Sequence, residues 1–254
     1  MTLNIVVPMA GEGSRFADRG YSFPKPLIQM PNGDPMIKMV MDCLECYGAN
    51  WIFIVRQEHE DRYHLSRILP RMLECWLPND VKLHMLKDTT EGAACTVLEV
   101  ESLIRSSDPL IVVNSDQYFV WDSDDFFADM DNRGADGGIL TFKSYHPKWS
   151  FVKLADNGDV TQVAEKEPIS NDATVGLYWW KHGSFFVDSA KRMIEQNDRV
   201  NGEFYVAPTF NYMLDYDKKV RAYNVDFMAG VGTPEDLDKF QMRAWLGKIP
   251  RYDG

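Results

Sequence analysis

Leu3-Asn4-Ile5-Val6-Val7-Pro8, followed at once by Met9-Ala10-Gly11-Glu12-Gly13-Ser14-Arg15-Phe16, sets a short apolar run against a glycine-rich loop. A run of this length with little polar alternation reads as a strand buried on both faces, the environment of a parallel sheet. Similar runs recur at Trp51 to Val55, Val81 to Leu86 and Leu110 to Asn114. Helical patterns lie between them, from Pro35 to Gly48 with Gly48 as the stop, from about Glu58 onward, and from Gly92 to Ile104. Strand and helix in alternation predict βαβ units on a largely parallel sheet. Ligands bind beyond the carboxyl ends of such strands, so the glycine loop and Ser115-Asp116 are expected to be neighbours.

Beyond Asp116 the pattern shortens. Strand-like runs at Gly138 to Lys143, Phe151 to Leu154, Val160 to Glu165 and Val175 to Trp180 are separated by turn residues such as Asp156-Asn157-Gly158-Asp159. They predict an antiparallel or mixed extension of the sheet. Helices are expected at Ser184 to Gln196 and Tyr205 to Leu214, and a last strand near Val220 to Val225. Thr233-Pro234-Glu235-Asp236 opens a final helix, with threonine as cap, proline at the first position and acids in the first turn. No linker separates independent units, so residues 1–254 read as one domain.

The 254-residue chain is long enough for a substantial core, and its 45% hydrophobic and 26% charged residues are ordinary globular usage. Lys and Arg number 27 against 38 Asp and Glu, a formal net charge of −11, so the surface as a whole repels nucleic acid and anionic lipid. A polyanionic ligand must then meet cations gathered locally. No stretch approaches the roughly 18 consecutive apolar residues that span a bilayer, and no basic region precedes the first strand. These features predict a cytoplasmic protein without a membrane partner. Cys43-x-x-Cys46 lies in an apolar helical pattern and reads as a buried structural pair. Of the seven tryptophans, Trp179 and Trp180 are adjacent on a strand and point to opposite faces. Core packing explains most of them better than an aromatic cage for a quaternary ammonium.

Backbone N–H groups in Gly11-x-Gly13-Ser14-Arg15 can approach a ligand that side chains would keep away, and phosphate suits them; a purely structural turn would use the same glycines. Phe16 stands at the last glycine position of G-x-G-x-x-G, and the P-loop pattern is missing. Lys25 sits in Pro24-Lys25-Pro26, where the prolines restrict the backbone and bar a helix. Arg15 and Lys25 supply a guanidinium fork and a point charge, the pair that stabilises charge in phosphoryl and nucleotidyl transfer.

The run Val6 to Phe16 and then Pro24-Lys25-Pro26-Leu27 resemble the signature of the sugar-phosphate nucleotidyltransferases, the pyrophosphorylases that make nucleotide sugars. Glu91-Gly92-Ala93-Ala94, Asn114-Ser115-Asp116, Glu165-Lys166, Val175-Gly176-Leu177-Tyr178 and Gly232-Thr233-Pro234-Glu235-Asp236 follow in the family's order, so the likeness covers nearly the whole chain. It implies an α/β fold with a Rossmann-like mixed, mainly parallel sheet of the A-type glycosyltransferase and nucleotidyltransferase kind. A nucleotide-binding half would span 1–118 and an acceptor-binding half 119–254. Ala10, Gly11, Gly13 and Ser14 would wrap the triphosphate, with Arg15 on the leaving pyrophosphate and Lys25 near the α-phosphate as catalytic residues. Gly92, against base or ribose, and Ser115 would complete the nucleotide site. Asp116 would hold Mg²⁺. Lys166 would pair with the acceptor's phosphate and Glu165 with a polar group on it, while Gly176 would lie beneath the acceptor, where a side chain collides. The partners implied are a nucleoside triphosphate and a phosphorylated small molecule such as a sugar 1-phosphate, joined with release of pyrophosphate, in polysaccharide or surface-glycan precursor synthesis. A homo-oligomer is compatible with the family.

One departure stands out. The family commonly places a second metal-binding Asp two residues before the Gly-Thr of its last motif, and Gly230 stands there. Asp226 would substitute, or is an ordinary strand-end carboxylate. Asn201-Gly202-Glu203-Phe204-Tyr205 either caps the following helix or lines the acceptor pocket. Two rival readings follow, a glycosyltransferase on the same fold, against which Asp116-Gln117-Tyr118 lacks Asp-x-Asp, and a relative that binds nucleotide without turning it over.

Overall fold

The computed structural model describes residues 2–252. The first four strands, β1 (Asn4–Pro8), β2 (Asn50–Arg56), β3 (Asp80–Leu86) and β4 (Leu110–Val113), pair in parallel in the order β4-β1-β2-β3. Both faces of β1, β2 and β4 are covered, while β3 is a half-exposed edge. Ile5, Val7, Ile111 and Val113 enter one core, and Val6, Leu110 and Val112 enter another on the opposite face. Each such side chain contributes about 1.5–3 kcal/mol by leaving water, which is why β1, β2 and β4 carry almost no polar alternation whereas the edge strand β3 does.

Seven strands follow: β5 (Gln117–Val120), β6 (Gly137–Lys143), β7 (Ser150–Leu154), β8 (Val160–Glu165), β9 (Asp172–Trp180), β10 (Val220–Asn224) and β11 (Phe227–Gly230). The long β9 inserts antiparallel between β4 and β6, and β10 adds parallel to β6. Among the described residues the path is β10-β6-β9-β4-β1-β2-β3, with the β7–β8 hairpin attached to β9. This is the mixed, mainly parallel α/β sheet expected. Trp179 and Trp180 do enter opposite cores, Trp180 stacking on Phe210 at 4.6 Å. β5 and β11 form a separate antiparallel ribbon that sets Gly230 opposite Gln117. No helix among the described residues is long and apolar enough to cross a membrane.

Several boundaries differ from the sequence pattern, each for a local backbone reason. The first long helix ends at Leu44 because Glu45 adopts φ 49°, so Gly48 is not its stop. His64, at φ 53°, divides the next into Gln57–Tyr63 and Leu65–Met72. The pattern from Gly92 to Ile104 forms two short helices, Ala93–Leu98 and Glu101–Ile104. Lys25–Leu27 is one 3₁₀ turn after an extended Pro24, because Pro26 falls in the first turn, where its missing N–H is not needed. The helix expected from Tyr205 starts at Thr209, leaving Tyr205 in a loop. The helix Ser123–Arg133 and the β5–β11 ribbon were not in the pattern. Asp122 caps that helix, its carboxylate accepting from Asp125 N at 2.9 Å, and Gly134 closes it at φ 62°. Cys43 and Cys46 are buried, and burial pushes both thiols up to about 12, as befits structural cysteines.

Candidate active site

A cavity of about 550 Å³ opens where the glycine loop, the carboxyl end of β4, the end of β8 and the first turn of Pro234–Trp245 converge. Gly11, Gly13, Ser14, Arg15 and Lys25 line it from one side. Gly13 holds φ 65°, and no hydrogen bond among the described residues consumes the amides of Gly11, Glu12 or Gly13. A bend with free amides beside Arg15 is a cradle for anionic oxygen. Lys25 crosses to the sheet, where Nζ donates to Asp116 Oδ2 at 2.9 Å, both side chains about a quarter exposed or less. The glycine loop and the residue beyond β4 therefore line one cavity, linked through Lys25, as the parallel topology predicts.

Glu165, Lys166 and Gly176 line the other side. Glu165 ends β8 and its carboxylate accepts a short hydrogen bond from Ser150 Oγ; burial holds its pKa above the ordinary carboxylate range. Lys166 Nζ donates to the Tyr205 hydroxyl, which burial and the neighbouring Glu203 carboxylate keep protonated well above the usual tyrosine range. The cavity collects Arg15, Lys25, Lys148 and Lys166 against Asp116, Glu165, Glu203 and Asp236, so it is locally balanced on a chain of net charge −11. That is the local gathering of cations a polyanionic ligand needs.

Of the other assigned residues, Ala10, Ser115, Gly92 and Asp226 are not among those that line the cavity. Ala10 and Ser115 are buried behind the cavity wall. Gly92 needs to be glycine because a Cβ would fall 2.5 Å from Phe204 N, at φ 137°, so the loop 201–205 is what presses on it. Gly176, at φ 92°, is required by the sheet's own amides, since a Cβ would fall 2.5 Å from Asn114 Nδ2 and closer still to the Gln117 amide. Asp226, read as a substitute metal ligand or an ordinary strand-end carboxylate, does not line the cavity. It lies exposed just before β11, with its N–H on Val120 O at 2.9 Å, while the far end of that ribbon carries Gly232 against the Asp116 carboxylate. A ribbon's length therefore separates the two acids.

Nor could position 230 take a carboxylate unaltered, because a Cβ there would meet the Trp149 ring at 2.6 Å. Among the described residues no cluster of three or more His, Cys, Asp or Glu could hold a metal. Of the four carboxylates that line the cavity, Asp116 is the one paired with Lys25 beside the glycine loop, with Gly232 packed so close that a Cβ there would overlap its carboxylate, and its hard oxygen suits a Mg²⁺ that takes its remaining ligands from water and phosphate.

Lys148, Trp149 and Gln117 line the cavity without having been singled out in the sequence pattern. Trp149 packs edge-on to Phe142, with the Lys148 ammonium 4.5 Å from its ring centre, and Lys148 also pairs with Asp236 at 2.7 Å. Tyr205 was read as helix or pocket, and it lines the pocket. Gln117 is buried, and its Oε1 has no hydrogen-bond partner among the described residues. Only the aromatic residue beside Lys148 had a local signal, an apolar ring in an otherwise polar turn.

The model of the family described as nucleotidyl transferase matches residues 5–244. No curated protein matches the chain. Among solved structures, the nucleoside-diphosphate-sugar pyrophosphorylase from Vibrio cholerae RC9 is 23% identical with a TM-score of 0.80, over 94% of this chain and 99% of that one. A Bacillus anthracis protein assigned as a glucose-1-phosphate thymidylyltransferase, in complex with a sucrose, is 17% identical with a TM-score of 0.76, over 100% and 98%. A UDP-glucose pyrophosphorylase complexed with UDP-glucose is 15% identical with a TM-score of 0.74, over 98% and 100%. These likenesses establish a shared fold along the whole chain.

Proposed function

Because the chain belongs to the nucleotidyl transferase family, we propose that it joins a nucleoside triphosphate to a sugar 1-phosphate and releases pyrophosphate. The observation that carries this reading is the single cavity in which the Lys25–Asp116 pair faces Glu165 and Lys166. One half can hold a triphosphate and the other a second phosphate, with no wall between them.

In this reading the amides of the glycine loop cradle the β- and γ-phosphates, Arg15 neutralises the leaving pyrophosphate, and Lys25 neutralises the α-phosphate. Lys166 orients the acceptor's phosphate, whose oxygen attacks the α-phosphorus in line as the bond to the pyrophosphate oxygen breaks. That oxygen is already ionised at neutral pH, so no general base and no covalent intermediate are required. Glu165 accepts a hydrogen bond from an acceptor hydroxyl, consistent with a sugar. Asp116 would hold Mg²⁺, which would withdraw charge from the reacting phosphorus when bound. Two of the four aromatic residues that line the cavity already carry the chain's own ammonium groups, Lys148 on Trp149 and Lys166 on Tyr205, which argues against a quaternary ammonium acceptor held by these two rings. The protein would work in the cytoplasm, supplying nucleotide sugars for polysaccharide synthesis.

The test is pyrophosphate release with Mg²⁺, crossing the common nucleoside triphosphates with hexose 1-phosphates, heptose 1-phosphate, phosphocholine and phosphoglutamine. Release with a sugar 1-phosphate is the expected result. Release only with phosphocholine or phosphoglutamine overturns the sugar, and nucleotide binding without release from any pairing overturns catalysis.

A further inference from the structure

Lys166 has an uncommon backbone, with φ 57° in the left-handed region that side-chain-bearing residues seldom occupy. In a regular strand Glu165 and Lys166 would point to opposite faces. The kink at the end of β8 instead turns both into the same cavity. A lysine head is a point charge on a flexible four-carbon stem, so placing its Cα does not place its ammonium. Something else must fix it.

That role falls to Tyr205. The Lys166 ammonium donates to the phenol oxygen and lies 4.3 Å from the ring centre, while burial and the neighbouring Glu203 carboxylate keep the phenol protonated. Tyr205 is in turn anchored to the opposite half of the cleft. Phe204 N donates to Glu91 O at 2.9 Å, Ala94 N donates to Phe204 O at 3.0 Å, and the absence of a side chain at Gly92 admits the Phe204 backbone between them. Arg199 closes the loop, lying 4.0 Å over the Phe204 ring while it binds Glu91 and the Gly202 carbonyl. The segment that carries Tyr205 is thus stitched to the nucleotide side, and its hydroxyl ends on the acceptor side.

We infer that Tyr205 is a positioning residue, whose hydroxyl holds the Lys166 ammonium at the point where the acceptor's phosphate docks. The inference rests on the proposed pairing of Lys166 with that phosphate, and it adds the group that makes the pairing geometrically defined. Removing the hydroxyl leaves the charge in place but lets it wander, so acceptor affinity falls while nucleotide affinity does not.

Methyl phosphate, a phosphate monoester without a sugar, makes the test independent of the acceptor's identity. It is titrated calorimetrically into the full-length protein with the glycine loop already filled by pyrophosphate and Mg²⁺. Tyr205→Phe, with an unchanged thermal midpoint, is expected to weaken binding about tenfold, the loss of one charge-assisted hydrogen bond. Lys166→Met should weaken it at least as much, and the double variant no further than Lys166→Met alone. Native affinity in Tyr205→Phe beside a loss in Lys166→Met overturns the inference and leaves the proposed function standing. A further loss in the double variant also overturns it, since Tyr205 would then act without Lys166. Native affinity in Lys166→Met overturns the assignment of Lys166 itself.

Discussion

Replacing Gly176 by alanine should destabilise the protein by about 2–5 kcal/mol, in two separable parts. The first is backbone strain. Gly176 holds φ 92°, and an L-residue with positive φ costs about 1–2 kcal/mol. The second is collision, because the new methyl would overlap the Gln117 amide and lie 2.5 Å from Asn114 Nδ2, and forcing a packed interior to yield costs about 1–3 kcal/mol. Gly134 is an internal control, since it holds φ 62° at the end of a helix with nothing within 4 Å of its absent Cβ. Gly134→Ala carries strain alone. Equilibrium urea unfolding of both variants, followed by tryptophan fluorescence with unchanged slope, measures the difference, expected at about 1–3 kcal/mol. Gln117 follows Asp116 in the chain, so a displaced Gln117 also disturbs the Asp116 carboxylate proposed to hold Mg²⁺, and kcat should fall in Gly176→Ala under conditions where it remains folded. Equal destabilisation of the two variants would refute the collision argument and return Gly176 to a role facing the acceptor only.

Lys25→Ala and Asp116→Asn should each lower turnover by about 10²–10³ without unfolding the protein, since each leaves its partner in the cavity uncompensated; near-native turnover in steady-state pyrophosphate release would exclude these assignments. Gly230→Asp should fail to supply a second metal carboxylate and should destabilise by about 1–3 kcal/mol, because its Cβ meets the Trp149 ring at 2.6 Å; a denaturation midpoint at or above native would count against this packing. Asp159 binds the buried Arg221 at 2.8 Å, which lowers its pKa below the usual aspartate range. Its contribution is therefore complete above the unfolded pKa near 4 and is lost as pH falls through the folded value. Asp159→Asn should cost about 2 kcal/mol at pH 7 and progressively less below about pH 4, read from urea midpoints across that range. With Cys43 and Cys46 buried and raised to about 12, Ellman's reagent at pH 8 should leave both unlabelled in the native state and reach Cys75 first; rapid labelling of four thiols would show that the helix packing is wrong.

Much of the fold was legible along the chain because the signals are local. A strand with both faces covered must be apolar at successive positions, so β1, β2 and β4 announce themselves by Ile5 to Val7, Trp51 to Val55 and Leu110 to Val113. The glycine loop, Asp116 beyond β4 and the Thr233 cap, whose Oγ1 accepts from Asp236 N at 3.2 Å, follow from short-range backbone chemistry. The ribbon of β5 and β11 was not legible, because neither four-residue strand has a pattern until it finds the other. The same holds for what surrounds the site. Gly92 is glycine on account of the Phe204 backbone, Gly176 on account of Gln117 and Asn114, and Gly230 on account of Trp149. Lys166 turns inward through a backbone kink and finds its partner in a loop read as the start of a helix. Residue periodicity reports only whether a side chain is buried or solvated. Which distant atom fills the space beside it is set by the packing of the two halves, and here that packing assigns Asp116 to the cavity and Asp226 to the far end of the ribbon.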